Sequence, residues 1–315
     1  MALRLVNFLP APTAAPRVGL WIEGGLLDLN VALEVSGRSS EHHFASVAET
    51  LGDPLLLDIA RALAASVPVD PTPRENCRLL APVPQPGKLF ALAGNYLAHI
   101  EESATTALNV AMEREWRGGP RVFMKPSVDT VVGDGDPVIL AKTATFLDYE
   151  AELAVIIGKS GRYIPAEQAL AYVGGITALN DISERQLSVW DRGEFATAYK
   201  WFDWLNGKWT DTGAPMGPCA VPLSDVPDLD ALQLSLDLNG ETLQQARLGE
   251  MIFKIPEVVA YISSICTLRP GDVIAMGTPA GVGMARDRKL QDGDVMQVHL
   301  DLVGTLTNPV QADRS

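Results

Sequence analysis

The chain has 315 residues, of which 47% are hydrophobic and 20% charged, a composition typical of a folded globular protein and unlike a disordered or collagen-like chain. The 25 basic and 39 acidic side chains give a formal net charge of −14, which disfavours partners with anionic surfaces. We therefore expect no nucleic-acid partner and no membrane partner.

Cysteine usage and the N-terminal sequence bear on the cellular compartment. The 3 cysteines are widely spaced and form no Cys-x-x-Cys pair, so neither a disulfide framework nor a thiolate zinc site is predicted. The apolar start of the chain is interrupted by Asn7 and Pro10. No apolar run approaches the ~18 residues of a membrane span. These features predict a cytoplasmic protein.

The first part of the chain is predicted to form short strands followed by a helix. Apolar patterns over 3–8 and 18–22, then a Glu23-Gly24-Gly25 turn and residues 26–29, indicate strands joined by a hairpin. Residues 54–67 have a helical pattern. A proline-rich stretch over 68–86 follows, which is typical of a linker. We predict a small N-terminal domain over 1–82 and a larger catalytic domain over 83–315.

Strand patterns dominate beyond the prolines. They cover 88–92, 138–140, 147–157, 232–238 and 296–302, and the fourth is closed by Asn239-Gly240, a strong hairpin signal. Helices are predicted over 166–173 and 256–265. Because the chain has no repeat of βαβ units, we predict a β-rich α+β fold rather than a doubly wound sheet.

Three acidic residues could converge on one cation. Glu150 and Glu152 lie in a predicted strand, where residues i and i+2 point to the same face about 7 Å apart. Asp181 ends an apolar stretch, and its carboxylate would complete an oxygen ligand set suited to Mg²⁺, Mn²⁺ or Ca²⁺. The alternatives are a solvated acidic face for the glutamates and an ordinary turn or helix cap for Asp181.

His99 is the best candidate for a general base. Glu102 lies three residues further on and is its neighbour if this stretch is helical. A carboxylate beside an imidazole fixes its tautomer and raises its basicity, as a base near neutral pH requires. His42 and His43 lie in the predicted small domain, and His299 lies on the polar face of a strand. A surface contact without catalytic use is the alternative for the His99 and Glu102 pair.

Two lysines and a glycine-rich loop are weaker candidates. Lys125 and Lys208 lie near the acidic motifs, where solvated lysines are also common. The segment 277–283 lacks the Lys-Ser/Thr pair of a phosphate-binding P-loop. It is interpreted either as a plain turn or as a tight loop that packs the Thr278 hydroxyl and free backbone amides against a small anionic ligand.

Several motifs follow one another in a characteristic order. They are Asp148-Tyr149-Glu150-Ala151-Glu152-Leu153, Asn180-Asp181-Ile182-Ser183-Glu184-Arg185, Gly207-Lys208, Gly217-Pro218, Asn239-Gly240-Glu241, Leu268-Arg269-Pro270-Gly271-Asp272-Val273-Ile274 and Gly277-Thr278-Pro279-Ala280-Gly281-Val282-Gly283. Together they closely resemble the fumarylacetoacetate hydrolase family, in its branch of acylpyruvate hydrolases and 2-hydroxyhepta-2,4-diene-1,7-dioate isomerases. The resemblance covers roughly residues 85–308, and it implies a mixed β-sandwich roll, usually homodimeric, with a small N-terminal domain.

The resemblance also implies roles for individual residues. Glu150, Glu152 and Asp181 match the divalent-metal ligands. His99 and Glu102 match a His-x-x-Glu dyad on a segment that orders over the substrate. Arg185, Lys208 and Thr278 match positions that surround the substrate or the metal. We predict a catalytic role for Lys208 and substrate binding by Arg185, Thr278 and Lys125. Two features depart from the family: Ser188 stands where many members have Gln, and an aromatic-rich stretch over 190–204 is inserted.

The expected activity is metal-dependent hydrolysis of a carbon–carbon bond in a small 2,4-dioxo acid, giving pyruvate and a carboxylic acid. Mg²⁺ or Mn²⁺ would stabilise the enolate left by cleavage, while His99 activates a water and Lys208 or Arg185 offsets developing charge. One alternative is a tautomerase or decarboxylase of a related 2-oxo acid that uses the same enolate. Another is a non-catalytic binding module that holds a structural Ca²⁺.

Overall fold

The computed structural model describes residues 2–66, 68–103, 118–187 and 189–315. Ser188, one of the two departures from the family pattern, lies outside the described residues. The last residue of the helix predicted over 54–67 also lies outside them.

Three antiparallel strands and three helices form the first part of the chain. Their bounds are β1 Leu5–Leu9, β2 Arg17–Ile22, β3 Gly25–Asp28, α1 Leu29–Val35, α2 Val47–Gly52 and α3 Pro54–Ser66. The Asp28 carboxylate accepts hydrogen bonds from the backbone N–H groups of Asn30 and Val31, so it caps α1 and ends β3. The strands and the helix predicted in this region are confirmed, with small shifts at their ends.

A large sheet of 11 strands runs through the molecule. Its further members are β4 Arg78–Leu80, β5 Leu89–Leu92, β6 Val122–Lys125, β7 Val131–Val132, β10 Ala151–Ile157, β11 Val173–Asn180, β13 Ala214–Pro222 and β16 Val273–Ala275. The strand order is β3-β2-β1-β13-β11-β10-β16-β5-β6, with β4 paired to β1 and β7 paired to β13. Neighbours along this path are antiparallel except β16 and β5, which are parallel.

A second sheet of 5 strands packs against the large one. Its strands are β8 Val138–Leu140, β14 Gln233–Leu238, β15 Glu241–Arg247, β17 Val295–Leu300 and β18 Gly304–Ala312, in the order β15-β14-β17-β18-β8. A separate pair joins β9 Leu147–Asp148 to β12 Ser183–Glu184. The strand predicted over 147–157 is therefore interrupted, and its two parts, β9 and β10, belong to different sheets.

The remaining helices connect these strands. They are α4 Leu97–Ser103, α5 Ala196–Asn206, α6 Ile255–Ile265 and the single turn α7 Gly283–Arg286. The helix predicted over 256–265 is α6. The helix predicted over 166–173 is a 3-10 helix, Ala166–Tyr172. The aromatic insertion contains α5, which the sequence analysis did not predict.

Strand β10 is buried on both faces because it lies between two apolar cores. One face packs Leu153 and Val155 against residues of the second sheet. The other face packs Ala154 and Ile156 beneath the N-terminal helices. Glu152 shares that second face at the start of the strand, so the fold holds its carboxylate inside the protein.

The architecture confirms a β-rich α+β fold with sheets packed face to face. Leu5 of β1 pairs with Ala220 of β13, so the N-terminal strands continue the large sheet. The domain boundary between residues 82 and 83 stays a prediction about independent folding units. None of the described helices combines the length and the hydropathy needed to cross a membrane.

Candidate metal centre

The three predicted carboxylates meet where two neighbouring strands of the large sheet pass each other. Ala151 of β10 pairs with Asn180 of β11 in antiparallel register, so the start of β10 lies beside the end of β11. Glu150 and Glu152 flank Ala151, and Asp181 directly follows β11. One oxygen of each carboxylate lies within 4.8 Å of the others, and all three side chains are buried.

Two buried lysines hold this cluster together. Lys208 Nζ donates to Glu150 Oε2 at 2.7 Å and to Asp181 Oδ2 at 2.8 Å. Lys125 Nζ donates to Asp181 Oδ1 at 2.6 Å and to the Ile182 carbonyl at 2.9 Å. Burial lowers the pKa of Lys125, whereas the charges of Asp181 and Glu150 outweigh burial at Lys208 and raise its pKa.

Arg185 supplies the third cation of the site. Its guanidinium donates to Glu150 Oε1 through Nη2 and to Asp148 Oδ2 through Nε, the latter at 2.9 Å. Burial alone would raise the pKa of Glu150, but Arg185, Lys208 and His99 outweigh it and hold that pKa below its usual range. Glu150 is therefore an ionised carboxylate.

Glu152 has an oxygen that no described residue satisfies. Its Oε2 accepts the backbone N–H of Gly277 at 2.7 Å, whereas its buried Oε1 has no hydrogen-bond partner. Burial, followed by the charges of Asp181 and Glu150, raises the pKa of Glu152 well above its ordinary value. A buried carboxylate oxygen without a partner is costly. The unpartnered oxygen and the all-carboxylate donor set fit a hard divalent cation.

The predicted His99 and Glu102 pair forms on α4. His99 Nδ1 lies 2.8 Å from Glu102 Oε1, and both side chains are largely buried. Glu102 Oε2 accepts the backbone N–H of Gly281 at 2.8 Å.

The glycine-rich loop 277–283 joins the cluster to the dyad. Gly277 contacts Glu152 and Gly281 contacts Glu102, with buried Thr278 between them. Gly281 has a φ of +106°, and a Cβ there would lie 1.9 Å from the Leu243 carbonyl oxygen. The close approach of this loop to β15 therefore requires glycine.

Asp148 is a site residue that the sequence analysis did not single out. Its fully buried carboxylate accepts the backbone N–H groups of Gly283 at 2.7 Å and Met284 at 3.0 Å. It also holds Arg185. Asp148 stands in the same motif as Glu150 and Glu152, but its backbone partners Gly283 and Met284 lie more than one hundred residues further on, so spacing carries no signal for that contact.

The aromatic insertion places one tryptophan beside the site. Trp204 packs edge-on against Phe123, with ring centroids 5.1 Å apart, and stacks on Trp201 at 5.0 Å. Lys208 Nζ lies 5.1 Å from the Phe123 ring centroid and 5.8 Å from that of Trp204. Both rings therefore lie within the range of a cation–π contact with the lysine ammonium group.

Comparisons with known proteins identify the family of related chains. Residues 88–311 match the family model described as fumarylacetoacetate (FAA) hydrolase C-terminal. A curated relative is the mitochondrial oxaloacetate tautomerase FAHD2A of Bos taurus, which is 36% identical over 312 residues, 98% of this chain and 91% of its own length.

Two solved structures are similar over their whole length. A probable 2-hydroxyhepta-2,4-diene-1,7-dioate isomerase from Mycobacterium abscessus has a TM-score of 0.75 and 29% identity, covering 100% of both chains. Maleylpyruvate hydrolase from Sphingobium sp. SYK-6, in complex with manganese(II) and pyruvate, has a TM-score of 0.73 and 27% identity, covering 99% of this chain and 100% of its own. The carboxylate cluster thus has the chemistry of a divalent-metal site, and one of the similar solved structures contains manganese.

Proposed function

The chain belongs to the fumarylacetoacetate hydrolase family of enzymes, and on that premise we propose that it is a divalent-metal-dependent tautomerase of a 2-oxo dicarboxylic acid of the oxaloacetate type. The observation that carries the proposal is the buried three-carboxylate cluster, with an unpartnered Glu152 oxygen, beside an oriented imidazole. The full-length similarity to an oxaloacetate tautomerase supports this activity over the other enolate reactions.

The residues divide into a metal set and a proton-transfer set. A bound Mg²⁺ or Mn²⁺ would hold oxygens of the substrate and acidify the C–H beside its 2-oxo group. Glu150, Glu152 and Asp181 would be its ligands. Ca²⁺ fits the same oxygens, although as a larger ion with longer metal–oxygen distances it polarises a bound carbonyl less.

His99 is the proposed proton carrier. Its Nδ1 faces the Glu102 carboxylate, which fixes the proton on that nitrogen and leaves Nε2 free to accept another. We assign to Nε2 the removal of a proton from the carbon beside the 2-oxo group of the keto form, and its return to the same carbon when the enol form converts back. Water supplies the enol O–H proton in the first direction and takes it up in the second, so the protons balance.

The cations balance the charge that this chemistry moves. Arg185 and Lys208 contact Glu150, and Lys125 contacts Asp181, so each ligand except Glu152 has a cation against it. We propose that Arg185 and Lys208 also offset the negative charge that develops on the enolate oxygen. For Lys125 and Thr278, contact with substrate remains part of the proposal.

Hydrolysis of a 2,4-dioxo acid is the second candidate. The similarity to a maleylpyruvate hydrolase supports it, since the same oriented imidazole could deprotonate a water for attack on a carbonyl carbon. The enolate left by cleavage would use the same metal. Decarboxylation and a metal-stabilised binding module without turnover are the remaining outcomes that the test must separate.

Product analysis distinguishes these activities. The protein is incubated with Mg²⁺ or Mn²⁺ and either enol-oxaloacetate or a panel of acylpyruvates, and the products are followed by proton and carbon NMR. We expect faster conversion of enol-oxaloacetate to the keto form than in protein-free buffer with the same metal. Two fragments would instead establish hydrolysis, and CO₂ release faster than in protein-free buffer with the same metal would establish decarboxylation.

Matched variants link the activity to the site. Glu150→Ala removes a proposed ligand and should abolish metal-dependent turnover, whereas Glu34→Ala removes an exposed carboxylate from α1 and should leave it unchanged. The opposite result is a protein that turns over no 2-oxo acid and loses thermal stability when EDTA is added. That result would contradict the proposed enzyme and support a metal-stabilised binding module.

We also propose a cytoplasmic homodimer. Size-exclusion chromatography with light scattering measures the assembly directly, and a monomeric mass at micromolar concentration would contradict it.

A further inference from the structure

One amide side chain from the second sheet reaches into the metal centre of the first. Gln244 lies on β15 and is only 1% exposed. Its Oε1 accepts the backbone N–H of Ala151 at 3.0 Å, between the two proposed glutamate ligands. Its Nε2 donates to Thr278 Oγ1 at 2.8 Å and to the Pro279 carbonyl at 2.8 Å.

A β-bulge aims this side chain inward. Leu236 of β14 pairs with Gln244 and Asp237 pairs with Thr242, so Leu243 is the extra residue of the hairpin. Leu243 and Gln244 are consequently both buried, whereas the flanking Thr242 and Gln245 are exposed. Bulges redirect side chains in this way near functional sites. The same bulge presents the Leu243 carbonyl to Gly281.

The partners of Gln244 fix which end of its amide faces which group. Ala151 offers an N–H, which only the amide oxygen can accept, and Pro279 offers a carbonyl, to which only the amide nitrogen can donate. Thr278 Oγ1 therefore receives an N–H. The Thr278 hydroxyl then keeps its own proton for another acceptor, and in the described part of the chain it donates to none.

We propose that Gln244 is a positioning residue that sets the direction of the Thr278 hydroxyl, so that this hydroxyl donates a hydrogen bond to a carboxylate oxygen of the bound 2-oxo acid. The inference rests on the proposed function for the class of substrate. Through the same amide, Gln244 holds the substrate-facing loop at a fixed distance from the strand that carries Glu150 and Glu152.

Oxalate binding tests this without requiring turnover. Oxalate is a planar dianion that imitates the enolate of a 2-oxo acid, and its dissociation constant is measured by calorimetry at saturating Mg²⁺. We expect Thr278→Val to weaken binding about tenfold, the effect of one lost hydrogen bond. Gln244→Glu should weaken it by a similar factor, because its carboxylate would accept the Thr278 proton.

The double variant distinguishes positioning from a merely structural role. If Gln244 acts through Thr278, Gln244→Glu in the Thr278→Val background should add less than twofold to the loss. A loss of oxalate affinity of about a hundredfold in the double variant, as expected for independent effects, would overturn the proposal. Wild-type oxalate affinity in Gln244→Glu would overturn it as well. Gln244→Met removes the donor without adding charge and keeps the test valid if the glutamate variant does not fold.

Two controls complete the design. Gln245→Glu places the same substitution on the exposed face of β15 and should bind oxalate as the wild type does. Mg²⁺ affinity of Gln245→Glu, measured without oxalate, should also stay within about twofold of wild type. If the wild-type protein binds oxalate but does not turn over oxaloacetate, the proposed function is wrong. The oxalate affinities of the variants still decide whether Gln244 positions Thr278.

Discussion

At the scale of single residues, the metal centre is a charge cluster in which Glu152 differs from its neighbours. Glu150 and Asp181 each contact buried cations, whereas Glu152 contacts one backbone N–H and keeps a bare oxygen. The proposed divalent ion would be the partner that this oxygen lacks. Glu152 should therefore contribute more to metal affinity than to the stability of the metal-free protein.

The first prediction follows from this difference. Glu152→Gln keeps the shape of the side chain but removes its charge, so Mg²⁺ affinity measured by calorimetry should fall at least about a hundredfold. The melting temperature in EDTA should stay equal to or above that of wild type, because a buried charge near two other carboxylates is lost. A variant that unfolds in EDTA well below wild type would show that Glu152 is structural instead.

His99 gives the second prediction. His99→Asn should lower kcat for the 2-oxo acid about a hundredfold or more, within the range for a lost general base. Mg²⁺ affinity should change little, since the imidazole is not a proposed ligand. His43→Asn, at an exposed position of the N-terminal region, is the control and should keep wild-type kcat. Full activity of His99→Asn would contradict the assignment of the proton to His99.

How far the sequence predicts such residues depends on where their partners lie. Glu150 and Glu152 follow from i, i+2 spacing in a strand, and His99 with Glu102 from i, i+3 spacing in a helix. Asp148 and Gln244 acquire their roles through loop 277–283, whose position beside them is a property of the tertiary structure. No local pattern could reveal those two residues.

At the scale of elements, the break between β9 and β10 shows what a strand pattern leaves open. Residues 147–157 have uniform strand character, yet the backbone N–H of Tyr149 donates to the Asp148 carboxylate and that of Glu150 to Asn180 Oδ1. These side chains replace the hydrogen bonds of a sheet ladder and turn the chain. The turn lets the carboxylates of Glu150 and Glu152 lie close to each other and to Asp181.

The loop that faces the site gives the third prediction. Gly281→Ala should destabilise the protein by about 3 kcal/mol or more in urea unfolding, because a Cβ there overlaps the Leu243 carbonyl in addition to straining φ. Gly293 has a similar φ of +91°, but a Cβ added there by Gly293→Ala would have no atom within 4 Å. It should cost only about 1–2 kcal/mol. Equal losses would mean that the overlap relaxes.

The contact between the N-terminal helices and the large sheet gives the fourth prediction. Asp225, at the end of the 3-10 turn after β13, accepts the Leu3 N–H at 2.8 Å and Arg61 Nη2 of α3 at 2.6 Å. Burial alone would raise the pKa of Asp225, but the hydrogen bonds from Arg61 and Leu3 outweigh it and lower that pKa. Asp225→Asn should cost about 1–2 kcal/mol at pH 7.

The pH dependence of this loss has a definite sign. A carboxylate whose pKa is depressed by folding stabilises the protein above its unfolded pKa of about 3.9 and loses that contribution as the pH falls through the lower folded value. The difference between wild type and Asp225→Asn in urea unfolding should therefore shrink steadily below about pH 4. Asp70→Asn, at an exposed position, should show no such difference at any pH.

At the scale of the whole molecule, the net charge of −14 opposes an anionic substrate, while the buried cations attract it only at short range. The fifth prediction is that kcat/KM for a dianionic 2-oxo acid rises a few-fold between 10 and 150 mM NaCl, as the Debye length falls from about 30 to 8 Å. Monoanionic pyruvate analogues should respond less. A kcat/KM that falls with salt would show that the local cations dominate the approach.

The central place of β10 also has a consequence for synthesis of the protein. Its two neighbours in the large sheet are β11, which leaves the ribosome soon afterwards, and β16, which follows over one hundred residues later. At roughly 5–20 residues per second, one edge of this apolar strand waits several seconds for its partner. Nascent chains should expose that edge to chaperones until β16 is made. The proposed ligands Glu150, Glu152 and Asp181 lie on or beside β10 and β11, so they can meet before this edge is covered.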